Sequence, residues 1–221
     1  PDRENWAGTD TLGRDVTSRL IYGARSSLFI AICSVLLGTA VGGAWGIGSG
    51  YLGGKVDLYS ERFVEILLAL PGLILAYMLV LVLGASFWTV IAALAISRVP
   101  TVVRVVRSVV LSVKQTMYVD AAKSIGASQS RIIWKHVFPQ CVAALIVLVT
   151  MDIGGVIIGE ASLSFLGVGI PPPAPSWGRM LGESNPNLYP MWWLVASPGI
   201  LITLTVLAFN LFGDGIRDAL D

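Results

Sequence analysis

The stretch Tyr118–Gln140, "YVDAAKSIGASQSRIIWKHVFPQ", lies between two long apolar runs of a 221-residue chain. It carries Lys123, Arg131, Lys135 and the chain's only histidine, His136, with Gly126 near its centre. "YVDAAKSI" favours a helix. Two alanines raise propensity, and an acidic residue early with a lysine late suits the helix dipole. Gly126 can adopt positive φ and end that helix. "SQSRIIWKHVF" then resumes a helical pattern into Pro139. Val119, Ala122 and Ile125 fall at i, i+3 and i+6, a narrow apolar edge. Two readings fit this pattern. It is a docking helix for a partner's groove, or a connector whose basic residues rest on anionic headgroups.

The flanking sequence says what the stretch interrupts. The chain is 55% hydrophobic and 13% charged, with mean hydropathy +0.76. Soluble domains carry roughly 25% charged residues, so a membrane-embedded chain is expected. Five stretches have the roughly 20 apolar residues of a membrane helix: residues 26–50, 63–84, 87–106, 137–159 and 191–212. They are continuous rather than alternating, which argues for helices over barrel strands. Net charge is +1, so nothing points to nucleic acid. Cys33 and Cys141 sit inside apolar runs and read as packing residues.

Five spans place the two ends on opposite sides of the membrane. Seven basic residues, Arg98 to Lys135, cluster around the polar stretch, and that side also receives Lys55, Arg62 and Arg217. The other side receives Arg3, Arg14, Arg19, Arg25 and Arg179. The positive-inside bias therefore puts the loop 107–139 and the C-terminus in the cytoplasm. Residues 1–25 and the loop 160–190 are then external. A cytoplasmic start would need one more span before Pro1.

Several local devices stand out. Gly38, Gly42, Gly46 and Gly50 form a GxxxG ladder on one helix face, where another backbone can approach. Pro71-Gly72 and Pro198-Gly199 are expected to kink or start helices. The proline-rich external loop is expected to hold a short helix over 177–183. Trp177, Trp192 and Trp193 read as an aromatic belt, with Trp177 a further contact for an external protein. Asp152 lies deep inside the fourth span. An isolated charge there is expensive, so it either lines a water-filled path or bonds to a neighbouring helix. Glu160 is similar but expected closer to water. Arg98 interrupts the third span and is expected to snorkel to the cytoplasmic interface, which Arg104 and Arg107 also mark.

Other motifs fail on inspection. Residues 48–53, "GSGYLG", match GxGxxG, but a membrane helix precedes them where the dinucleotide fingerprint needs a strand. "GSGYLGGK" lacks the glycine spacing of a phosphate loop, and Val56 sits where Ser or Thr would hold magnesium. His136 has no metal-ligand partner nearby, and no nucleophile–base–orienter set is visible. No catalytic or metal-binding residue is assigned, and the chain does not read as an enzyme.

The stretch "DAAKSIGASQSRIIWKHVFP" resembles the EAA loop of permease subunits of binding-protein-dependent ABC importers. Asp120-Ala121-Ala122, Gly126 and Pro139 fall in register. Asp120, His136 and Phe138 depart from the general pattern, although a His-x-Leu-Pro ending is typical of the dipeptide/oligopeptide/nickel branch. "GTDTLGRDVTSRLIYGARSSL", "GEASLSFLGVGIPPPAPSWGRML" and "LAFNLFGDGIRDALD" are similar to segments of that same branch. The resemblance covers nearly the whole chain.

It implies an all-α polytopic membrane protein of the MetI-like fold, with five spans present and the first family span missing. It implies a second, usually different, permease subunit, two cytoplasmic ATPases that hold ATP and magnesium, and an external substrate-binding protein. It also implies the inner membrane of a prokaryote as the location. Asp120, Ala121, Ala122, Lys123, Ile125, Gly126 and Pro139 would couple to the ATPases. Asp152 and Glu160 remain possible pathway residues. The substrate stays open among dipeptides, longer peptides, glutathione and nickel chelates. A channel or secondary carrier is the competing class, but it often shows inverted repeats, and none is obvious. A membrane scaffold protein is the third reading.

Overall fold

A computed structural model describes residues 5–184 and 191–220. The helices are α1 (Val16–Leu52), α2 (Gly54–Leu68), α3 (Gly72–Leu83), α4 (Phe87–Val113), α5 (Met117–Ser124), α6 (Gln129–Ile132), α7 (Phe138–Phe165), α8 (Trp177–Ser184) and α9 (Trp193–Leu220). α6 and α7 join through a π-helical turn, Ile133–Val137, into one continuous helix. That turn ends two residues before Pro139, whose missing N–H cannot serve the carbonyl one turn back. The Phe138 N–H reaches back five residues to Ile133 instead.

Among the described residues, four helices are long and apolar enough to cross a membrane: Val16–Leu52, Phe87–Val113, Gln129–Phe165 and Trp193–Ala219. The expected second span, 63–84, is not one helix. α2 and α3 meet at an 86° bend. Pro71, with ψ 130°, caps α3 and removes a backbone donor. α3 alone rises about 18 Å at 1.5 Å per residue, short of the roughly 30 Å hydrocarbon core. Pro198 acts differently. It lies inside α9 and neither starts nor ends it, because an early-turn proline strands only one carbonyl.

Several expected boundaries move. The segment 1–25 is partly helical, since α1 starts at Val16, where the Asp15 carboxylate accepts the Thr17 and Ser18 amides at 3.3 and 2.8 Å. α4 continues to Val113 and helix resumes at Gln129, so only about half of 107–139 is loop or short helix. Residues 48–52 are helical, so no dinucleotide-type turn forms there. The short helix expected over 177–183 is α8. Residues 185–190 of the expected external loop lie outside the described residues, as does Arg3.

α1 packs most extensively on α4, and the glycine ladder lies at this contact. A Cβ on Gly38 would sit 2.8 Å from the Ala95 carbonyl oxygen, and one on Gly46 2.8 Å from that of Val103. On Gly42 it would meet the Val102 Cβ at 2.7 Å, and on Gly50 the Val110 side chain at 3.2 Å. Lipid offers apolar side chains as good a home as protein does, so close backbone packing holds such helices together. The central core gathers Ile30, Val35, Val80, Val90, Leu94 and Ile157 from α1, α3, α4 and α7.

Candidate functional site

α5 stands at one end of the bundle. Its amphipathicity is opposite to the sequence expectation. Val119 and Ala122 turn inward and pack with Val113, Ile132 and Val137. Only Ile125 of the expected edge stays outside. The outward apolar groups are Met117, 90% exposed, Ile125, 85% exposed, and Tyr118. A hairpin needs its own core before it can present a helix, and the small residues at i and i+3 supply it. Asp120 and Lys123 pair at 2.9 Å on the exposed side, and Ala121 is exposed beside them.

The end of α5 is a complete Schellman turn. Gly126 has φ +77°, its N–H donates to Lys123, and the Ala127 N–H donates to Ala122. A Cβ on Gly126 would meet nothing within 4 Å, so the backbone angle alone demands glycine. His136 is half-buried, its ring centroid 5.9 Å from that of Tyr118. Pro139 is exposed at the start of α7.

The intramembrane charges find partners. Arg98 on α4 forms an ion pair with Asp152 on α7. The expectation that Arg98 snorkels to an interface is corrected, because its guanidinium pairs with a carboxylate on the neighbouring helix. Asp152 thus bonds to a neighbouring helix, and its partner Arg98 also lines a cavity, so a pathway role stays open. Glu160 is also corrected. It is fully buried, not closer to water. Ser27 on α1 and Ser164 on α7 donate to its two oxygens at 3.0 and 2.7 Å.

Trp177 leaves the expected belt. It is 3% exposed, and its indole N–H donates to the Leu20 carbonyl at 3.0 Å. It therefore anchors α8 to α1 and offers no surface for an external protein. Trp192 is exposed, whereas Trp193 packs inward and donates to Thr9 at 3.3 Å. An ion network lies around them. Asp10 accepts from Arg14 and Arg19, both at 2.6 Å, while Glu183 accepts from Arg19 and Arg179, both at 2.7 Å. Burial alone would raise both carboxyls. Amide and guanidinium hydrogen bonds win at Asp10, and guanidinium hydrogen bonds and charge win at Glu183, so both are held below the ordinary carboxylate range.

Sequence reasoning missed these partnerships. One signal was available for Arg98 and Asp152: opposite charges about halfway along two membrane spans. None marked Ser27 or Ser164, because serine is common in membrane helices.

Comparison with known proteins follows this geometry. The family described as "Binding-protein-dependent transport system inner membrane component" matches residues 38–221. The chain is 42% identical over its whole length to the glutathione transport system permease protein GsiD of Pectobacterium atrosepticum, covering 73% of that protein. It is 44% identical, with the same coverage, to GsiD of Escherichia coli O1:K1 / APEC. The fold is similar to the MetNI methionine ABC transporter in its inward-facing form, with TM-score 0.76 and 19% identity over 93% of this chain and 97% of that one. An amino acid ABC transporter gives TM-score 0.69 at 15% identity over 92% and 94%.

Proposed function

From the premise that the chain belongs to the binding-protein-dependent transport system inner membrane component family, we propose that it carries glutathione or a closely similar small peptide across the inner membrane of a prokaryote. It is a permease subunit of an ABC importer with the MetI-like fold. It catalyses nothing itself, and separate ATPase subunits hydrolyse ATP. The family implies a second permease and a substrate-binding protein as further partners. The finer reading is a heterodimer of permeases, two ATPases that hold ATP and magnesium, and no cofactor on this chain.

The chain-long similarity to permeases named for glutathione carries the substrate reading. Dipeptide, oligopeptide and nickel transport keep only the sequence resemblance. In the mechanism proposed, the end bearing α5 is cytoplasmic, as is the C-terminus. α5 fills a cleft of an ATPase with Met117, Tyr118 and Ile125 outward, the Asp120–Lys123 side exposed and Gly126 fixing its exit. ATP binding favours one packing of the bundle over another, and differential binding drives the switch. Proteoliposomes holding both permeases and the ATPases, with the binding protein outside, test this directly. ATP-dependent accumulation of labelled glutathione is expected. Uptake of a nickel chelate without glutathione would overturn the substrate reading. A cysteine at Ile125 is expected to cross-link to an ATPase, and cross-linking to lipid alone would return α5 to the headgroups.

A further inference from the structure

Arg98, paired with Asp152, lines a cavity of about 270 Å³ between α2, α3, α4 and α7. Ser97 and Thr101 of α4 line it beside Arg98. Gly155 and Gly159 of α7 form the facing wall, and a Cβ on Gly155 would come within 3.9 Å of the Arg98 Nη1. Gly72, at the start of α3, closes the cavity under the 86° bend. The first N–H groups of a helix have no intrahelical partner and carry its positive end, which adds to the field of Arg98. Arg98 Nε is buried with no hydrogen-bond partner among the described residues.

Charge and depth narrow the use of this site. Arg98 lies 11 residues from Phe87, about 17 Å along α4, and Asp152 lies 13 residues from Phe165, about 20 Å along α7. Both are near mid-membrane, where an unpaired charge is costly. A lone anion on Arg98 would strand Asp152, and a lone cation on Asp152 would strand Arg98. A molecule bearing both charges strands neither. It opens one ion pair and makes two.

We propose that Arg98 and Asp152 form a clasp for a zwitterionic peptide, in which Arg98 takes the peptide's carboxylate and Asp152 its ammonium group. This deepens the reading that the chain carries a small peptide, and rests on it. In the empty importer the two side chains neutralise each other, and peptide entry exchanges that contact for the peptide's own charges. The Ser97 and Thr101 hydroxyls and the start of α3 border the carboxylate, and the two glycines leave room for its backbone.

The whole importer in proteoliposomes tests this, with glutathione and dialanine as probes. Wild-type vesicles are expected to take up both. Uptake of dialanine alone sinks the glutathione reading, and the clasp is then measured with dialanine. Uptake of neither sinks both. With a transported probe, the double variant Arg98→Gln, Asp152→Asn is expected to lose uptake about tenfold or more while the ATPases still co-purify. Such a neutral pair can still hydrogen-bond between helices, so uptake within about twofold of wild type would overturn the clasp. If that variant does not assemble, Arg98→Lys replaces it. Lysine keeps the charge but not the planar fork, and KM is expected to rise about threefold or more with kcat held. An unchanged KM overturns the proposal.

Discussion

The Arg107 guanidinium holds both carboxylate oxygens of Asp57, at 2.5 and 2.7 Å, and so ties α2 to α4. Glu61 joins the same guanidinium at 3.1 Å. The bidentate geometry suits arginine and not lysine. Arg107→Lys is therefore expected to destabilise the α2–α4 contact by about 1–2 kcal/mol, a figure discounted for partial exposure. A disulfide between cysteines engineered into α2 and α4 would report it. Slower cross-linking in the variant is expected, and equal rates would show that the pair does not set α2's position.

The glycine ladder makes a contrast that separates packing from propensity. Gly42→Ala places a methyl 2.7 Å from the Val102 Cβ, with Val99 backbone 3.0 Å away. Overpacking of this kind costs about 1–3 kcal/mol. Gly48 has nothing within 4 Å, so Gly48→Ala is expected to be neutral or to stabilise by up to about 1 kcal/mol through helix propensity. Thermal unfolding of the purified complex checks both. Equal effects would mean that the α1–α4 approach is not what requires glycine.

Gly126 is the third test. Any side chain at φ +77° pays about 1–2 kcal/mol for the left-handed backbone. Gly126→Ala is expected to loosen the exit from α5 while the complex assembles. Gly126→Asp adds a charge at the same tip and is expected to uncouple ATP hydrolysis from uptake. The ratio of peptide imported to ATP consumed is the measurement. A wild-type ratio in the aspartate variant would remove α5 from the coupling role.

The ion network at the opposite end sets a pH dependence. Asp10 and Glu183 have folded values below their unfolded ones. Their contribution is therefore fully present above the ordinary carboxylate range and is lost as pH falls through the depressed values. The Leu12 and Arg14 amides both donate to Asp10 at 2.9 Å. Their hydrogen-exchange protection is expected to hold at about pH 6 and to fall below about pH 3, once intrinsic exchange is corrected for. Protection that rises on acidification would contradict the assignment.

Much of the architecture was legible in composition and run length. Continuous apolar stretches announced the membrane helices, the polar interruption announced an element outside the lipid, and positive φ at Gly126 was foreseeable because only glycine accepts it without strain. The ladder at Gly38, Gly42, Gly46 and Gly50 was visible as a face. Its partner, α4, was not. Residues 63–84 were apolar enough for one span, and run length alone concealed the bend at Pro71.

The side chains' directions needed the tertiary structure. Val119, Ala122 and Ile125 shared an edge by spacing, but only the packing of α5 on its own hairpin turned two of them inward. Trp177 was expected at the boundary and became buried because Leu20 offered its indole a carbonyl. Arg98, Asp152 and Glu160 each carried a cost that local sequence could state but not resolve. Helices 50 or 130 residues apart supplied the partners. Sequence by itself determined the membrane, the helices and the places where the backbone must turn, since these depend on local composition and torsion. Which charge meets which, and which face becomes a cavity, depends on contacts between distant segments, and only the packed bundle decided them.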